Sequence, residues 1–214
     1  MKILAIGDSF TYGEELPDLE LAWPCVLAKQ LNSTVTNLGQ PASGNTRMVR
    51  TAIEHSINYD LVIIAWSRYT RIETSDELGT YDLWPGCSSL PHRKSMPYRE
   101  ELIRYITLHH NDEYLYKQYL VNIVLLQAFF KNNGIKYLML DSFGNNNGTV
   151  HFRNNCPELV RQIDSSYYLG WPTESMMEWT YGSPKGPGGD FLEEGHLKVA
   201  NKLYEYIRHL NRIS

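Results

Sequence analysis

Residues 2–13 read Lys2-Ile3-Leu4-Ala5-Ile6-Gly7-Asp8-Ser9-Phe10-Thr11-Tyr12-Gly13. A short apolar run stops abruptly at Gly-Asp-Ser. The run has the character of a buried strand, and the Ser9 hydroxyl falls just past its carboxyl end. In an open α/β sheet that edge is where ligands and catalytic groups collect. Gly, Asp and Ser also suit an ordinary turn or helix cap, so the rest of the chain has to decide what this serine does.

Three further apolar runs read as strands: Thr34 to Leu38, Leu61 to Ala65 and Tyr137 to Leu140, each leading into a loop rich in Gly, Ser, Asn or Asp. Helices are expected between them. The first begins at Trp23-Pro24 and ends at Leu31, its proline tolerated because a first-turn N–H has no helical partner. A second covers Asn45 to Ser56. The longest, Asp112 to Asn132, carries Leu115, Tyr119, Val121, Ile123, Leu126 and Phe130 and stops at Asn133-Gly134. The last, from about Glu194 to Leu210, places Leu197, Ala200, Leu203, Tyr204, Ile207 and Leu210 on one face. Strands alternating with helices predict a parallel sheet covered on both faces. Neither a repeat nor a linker divides residues 1–214, so one domain is expected. Two segments read as irregular, Thr70 to Leu108 and Asn145 to Asp190; both follow strand ends and should border the functional edge.

The 214 residues suffice for a substantial core. With 43% hydrophobic and 21% charged residues and a net charge of −4, the chain has no basic surface suited to nucleic acid. Its 15 tyrosines and 5 tryptophans suit a core and its rim, or an aromatic-walled pocket. The three cysteines, Cys25, Cys87 and Cys156, lack metal-ligand spacing, and their odd number argues against a disulfide framework; free thiols in the reducing cytoplasm are expected. No apolar run reaches the ~18 residues of a membrane span, and the first run is too short for a signal peptide. The acceptor-like triplets Asn32-Ser33-Thr34 and Asn147-Gly148-Thr149 are read as chance matches. The small basic patch His92-Arg93-Lys94 reads as a solvated loop. His109-His110 beside Asp112-Glu113 resembles a metal cluster in composition only, because adjacent helical residues point to different sides.

A serine hydroxyl attacks a carbonyl only when something removes its proton and something else holds the oxyanion that forms. Gly7-Asp8-Ser9, followed by Phe-Thr-Tyr-Gly after a first strand, resembles the first motif of the GDSL, or SGNH, hydrolases. Asn37-Leu38-Gly39-Gln40-Pro41-Ala42-Ser43-Gly44-Asn45 resembles their second. The resemblance implies a flavodoxin-like three-layer α/β/α sandwich with a mainly parallel sheet of about five strands. It implies a cofactor-free and metal-free ester hydrolase in which Ser9 is the nucleophile. The Ser9 and Gly44 N–H groups would hold the oxyanion, a glycine at 44 letting the backbone come close. The substrate would be a small acylated molecule, with O-acylated carbohydrates and lipids among the options.

Two motifs depart from that pattern. The family's third has Gly-x-Asn, with asparagine as an oxyanion donor; here Trp66-Ser67-Arg68-Tyr69 follows the strand. Ser67 or Arg68 could donate in its place, and otherwise the donor is lost, a change worth roughly 10²–10³ in rate. The fourth, Asp-x-x-His ahead of the last helix, has two registers in Gly186-Pro187-Gly188-Gly189-Asp190-Phe191-Leu192-Glu193-Glu194-Gly195-His196. Anchored on Gly195 and Val199-Ala200, the histidine position falls on Asp190 and the aspartate position on Pro187. Anchored on His196, Glu193 becomes the orienting carboxylate. The first register keeps the glycine and the apolar face of the helix in place and is preferred, leaving an aspartate, ordinarily a weak base, to serve Ser9. The expectation is an SGNH-type esterase or deacetylase impaired at Asp190, the alternative an inactive domain of this fold that binds a ligand.

Overall fold

The computed structural model describes residues 1–76, 79–84, 99–144 and 150–213. Five strands form one parallel sheet: β1 (Lys2–Ile6), β2 (Thr34–Asn37), β3 (Leu61–Trp66), β6 (Tyr137–Asp141) and β7 (Tyr168–Leu169), in the order β2-β1-β3-β6-β7. Four of them match the expected runs to within a residue or two. The fifth is a two-residue edge strand, too short to leave a periodic signal. A separate antiparallel hairpin, β4 (Ile72–Asp76) and β5 (Gly79–Leu83), pairs Ile72 with Leu83.

Strand alternation sorts the core into two layers. Ile3 and Ala5 of β1, with Ile63 and Ala65 of β3, pack beneath α2 (Trp23–Gln30) and α9 (Glu193–Ile213). Leu4 and Ile6, with Val62 and Ile64, pack on the other face against α3 (Asn45–His55) and α5 (Asp112–Asn132). All six residues of β3 are buried, as a strand covered on both faces requires. Each such aliphatic side chain contributes about 1.5–3 kcal/mol on burial. The aromatic surplus goes largely inside: Trp23, Trp66, Tyr116, Tyr119 and Phe130 are fully buried.

The short α1 (Ser9–Tyr12) leaves β1, while α4 (Arg99–His109) and the hairpin occupy much of the segment expected to be irregular. Polar strand residues such as Glu73, Thr74 and Ser75 give that hairpin no apolar alternation to detect. The second irregular segment likewise holds α6 (Val150–Asn154), α7 (Pro157–Gln162) and α8 (Met176–Trp179). Helix α5 has the expected bounds, and the Asn111 side chain caps it by accepting from the Tyr114 N–H at 2.8 Å. On α9 the buried face is Val199, Ala200, Leu203 and Ile207, joined by His196; Leu197 is 46% exposed and departs from expectation. At 100° per residue Leu197 lies roughly a quarter turn from the centre of that face.

Cys25 and Cys156 are free thiols. No helix among the described residues is long and apolar enough to cross a membrane. His92-Arg93-Lys94, Cys87 and the Asn147-Gly148-Thr149 triplet lie outside the described residues. Leu203→Ala is expected to cost about 2–5 kcal/mol of stability, whereas Leu197→Ala should stay within about 0.5 kcal/mol; urea unfolding of the two variants checks which face of α9 is buried.

Candidate active site

The carboxyl ends of β1, β3 and β6 lie level, with Ile6 opposite Ile64 and Trp66 opposite Asp141. The chain leaves these ends at Gly7-Asp8-Ser9, at Ser67 and at Ser142. Asp8 caps α1 by accepting from the Phe10 N–H at 3.2 Å and is fully buried. Its other oxygen, Oδ2, pairs with Arg71 Nη1 at 3.3 Å, and the same nitrogen donates to Ser67 Oγ at 2.7 Å. Burial pushes the Asp8 carboxyl above the ordinary range. The Arg71 charge and hydrogen bonds involving Ser67, the Phe10 N–H and Ser142 oppose that rise.

Ser9 stands on the first turn of α1 and is 6% exposed. Asp190 meets it there. The Phe10 ring packs on the Phe191 ring, centroids 4.5 Å apart, so the residues following Ser9 and Asp190 are in contact. Burial pushes the Asp190 carboxyl up to about 6; a hydrogen bond with the Ser9 hydroxyl pulls against this, and Glu14, Asp8 and Glu15 push with it. Asp190 Oδ1 is buried without a hydrogen-bond partner. The preferred register therefore puts Asp190 beside Ser9.

His196 is turned elsewhere. Its Nδ1 accepts from the Trp23 N–H at 3.0 Å, and its ring meets the edge of Phe191 at 4.6 Å. Burial pushes its pKa down to about 4, partly offset by a hydrogen bond to the Phe191 backbone. With Nδ1 accepting from the Trp23 N–H, His196 is committed to the start of α2. His196 stitches α9 to the uncapped start of α2, whose N-cap, Ala22, has no side-chain hydrogen bond.

Gly44 precedes α3, and its N–H donates to Asp82 Oδ1 on β5 at 2.8 Å. Asp82 is 4% exposed, and a Cβ on Gly44 would lie 2.8 Å from that oxygen. Ser67 is buried, its hydroxyl accepting from Arg71 and its N–H donating to Asn45 Oδ1 at 2.9 Å. Arg68 is exposed, its guanidinium 4.8 Å from the centre of the Phe143 ring. The buried cation is instead Arg71, spaced between the rings of Phe143 and Trp84 at 5.1 and 5.2 Å. Nothing in the sequence separates Arg71 from Arg68, and Asp82 lies on a strand the sequence does not announce. A cavity of about 300 Å³ opens beside Arg71 and Asn45, walled by Tyr69, Tyr105, Tyr114 and Tyr119. His110 Nε2 meets Asp112 Oδ1 at 3.0 Å, and among the described residues no cluster suited to a metal ion occurs.

Two substitutions test this geometry. A carboxyl whose folded pKa is raised weakens the fold above that pKa and costs nothing below its unfolded value. Asp190→Asn is thus expected to stabilise the protein above pH 6, on the order of 1–3 kcal/mol after allowance for partial solvent contact. The gain should fade as the pH falls toward 3.8, as thermal melts across pH will report. His196→Ala should cost about 1–3 kcal/mol by stranding the Trp23 N–H, and the same melts measure it.

No curated protein sequence matches the chain. Its fold is similar to that of a protein assigned to the lipolytic G-D-S-L family from Desulfitobacterium hafniense DCB-2, with a TM-score of 0.54 at 16% identity over 96% of this chain and 98% of that one. It is equally similar to TesA, with a TM-score of 0.54 at 13% identity over 98% and 99%. A carbohydrate esterase family 2 enzyme with a carbohydrate binding domain, from Corynascus thermopiles (Myceliophthora fergusii), gives a TM-score of 0.54 at 15% identity, covering 96% of this chain and 65% of that one. At such identities the likeness is one of fold: the three-layer α/β/α architecture of GDSL/SGNH proteins. The sequence family matched, over residues 14–214, is described as a family of unknown function, and the chain belongs to it: DUF6071.

Proposed function

We propose that the protein is a serine ester hydrolase of the SGNH type in which Asp190 takes the proton of Ser9. The observation that carries this reading is the buried Ser9–Asp190 pair, with the carboxyl raised to about 6. An ordinary aspartate, near 3.9, is a poor base; one near 6 approaches the ~6.5 of free histidine. Burial thus offsets most of the base strength lost with the imidazole.

In the reaction, Ser9 Oγ attacks the ester carbonyl carbon and its proton passes to the Asp190 carboxylate. The tetrahedral oxyanion collapses, the C–O bond to the alcohol breaks, and the alcohol leaves with the proton from Asp190. Water then attacks the Ser9 acyl ester, giving its proton to Asp190. Collapse releases the acid and restores the serine hydroxyl. No cofactor takes part in this scheme. The carboxylate is neutral after accepting the proton, so no imidazolium faces the oxyanion; the nearby Arg71 guanidinium supplies positive charge instead. The tyrosine-walled cavity is lined by neither Ser9 nor Asp190 and adjoins the pair through Arg71. The similar carbohydrate esterase fold favours an O-acylated carbohydrate among small esters.

Gly44 N–H is the proposed oxyanion donor, and it is already bonded to Asp82. That contact favours the second reading, a hydrolase fold retained for ligand binding. In the hydrolytic reading Asp82 must withdraw before a carbonyl oxygen can enter.

Turnover of p-nitrophenyl acetate and covalent labelling by a fluorophosphonate decide between the two. Hydrolysis is expected to vanish in Ser9→Ala and to climb with pH to a plateau with its midpoint near 6, because the ionised carboxylate is the active form. Asp82→Ala frees the Gly44 N–H and should speed labelling of Ser9 roughly 10-fold, the worth of a charge-assisted hydrogen bond. Absence of labelling in both the wild type and Asp82→Ala would establish the binding reading instead.

A further inference from the structure

We propose that Glu15 is the positioning residue that sets Asp190 against Ser9, acting as a carboxylate clamp on the loop that carries Asp190. The proposal rests on the reading of Asp190 as the group that takes the serine's proton.

The loop is Gly186-Pro187-Gly188-Gly189-Asp190. It closes on itself through the Gly186 N–H donating to the Asp190 carbonyl at 2.8 Å and the Gly189 N–H donating to the Gly186 carbonyl at 3.0 Å. Into it reaches the Glu15 side chain. Glu15 Oε1 accepts from the Gly188 N–H at 2.6 Å and Oε2 accepts from the Asp190 N–H at 3.0 Å. Both carboxylate oxygens are therefore committed to the backbone on which Asp190 hangs. The approach is so close that a Cβ on Gly186 would lie 2.5 Å from the Glu15 carboxyl carbon, and one on Gly188 would lie 3.2 Å from it. The carboxylate accounts for glycine at 186 and 188, while Gly189 is set by its φ of 95°.

The other end of the clamp is fixed to the serine. Ser9 opens α1, and its carbonyl accepts from both the Gly13 N–H at 2.9 Å and the Glu14 N–H at 3.1 Å. Glu15 follows immediately, held at φ 69°. A non-glycine residue in this left-handed region is strained, and such strain persists where the surroundings impose it. Here it turns the side chain toward the loop. Ser9 and Asp190 are thus joined through a few rigid bonds, with the Phe10–Phe191 contact beside them.

Among the described residues, Ser9, Asp8, Glu14, Glu15 and, as the cation, Arg71 face the Asp190 carboxyl with charge or a hydrogen bond. Removing the Glu15 charge takes away one of the charges that raise Asp190, so its titration should move to lower pH. A role confined to folding would not move it.

Glu15→Gln keeps the shape but turns one acceptor into a donor facing an N–H. Hydrogen exchange at the Gly188 and Asp190 amides should quicken about 10-fold or more in this variant, and the midpoint of Asp190, followed by its carboxyl carbon in NMR, should fall below the wild-type value. In turnover of p-nitrophenyl acetate, kcat should drop roughly 10-fold with KM little changed, and the acid limb should shift the same way. Gly188→Ala attacks the clamp from the loop side, and the double variant should lose little more than the worse single one. Unchanged amide exchange together with an unchanged Asp190 midpoint overturns the proposal. If both move as stated but the wild type neither turns over ester nor labels at Ser9, the clamp stands and the hydrolase reading falls.

Discussion

A fully buried carboxylate organises the functional edge of this fold. Asp8 sits where β1 ends, removed from water, and an unpaired charge there would be prohibitively costly. Its partners come from around the edge: its own helix through the Phe10 N–H, Ser67 at the end of β3, Ser142 after β6, and Arg71 from the loop leading to the hairpin. Satisfying one charge therefore fixes three strand ends and the approach of β4 together. Arg71 in turn lies between Phe143 and Trp84, drawing two further segments inward. The position of Ser9, one residue along, is set by this arrangement.

Much of the architecture is legible from local pattern because buried parallel strands and amphipathic helices leave strong signals. The run Leu61–Trp66 is apolar because both of its faces are covered, and α5 advertises its stop at Asn133-Gly134. The hairpin escapes notice because its contacts toward α3 include polar ones, Arg50 with Glu73 and the Gly44 N–H with Asp82. In the site, Gly195 and the apolar face of α9 anchor the register that sets Asp190, rather than His196, near Ser9. The contacts of Asp82, Arg71 and Glu15 could not be read from sequence. Each depends on which of several similar side chains a loop turns inward, and that is decided by long-range packing.

Exchange of an imidazole for a carboxylate alters more than the strength of a base. An imidazole leaves the site neutral at rest and positive after proton transfer; a carboxylate leaves it negative at rest and neutral afterwards. A site designed around the second case needs fixed positive charge nearby and must keep the carboxylate dry. Under the proposed mechanism, Arg71 and the Phe10–Phe191 pair would meet those two requirements. The surrounding acids, Asp8, Glu14 and Glu15, act in the same direction as burial by making a negative Asp190 less favourable. His196 Nδ1, accepting from the Trp23 N–H, ties α9 to the start of α2.

The bond between Gly44 and Asp82 has a consequence for what happens after chemistry. The acid released by ester hydrolysis is itself a carboxylate, the same functional group that occupies the Gly44 N–H at rest. Under the proposed hydrolysis, Asp82 would be a tethered mimic of the product. In a hydrolytic cycle, departure of the acid and return of Asp82 would amount to one exchange of like for like.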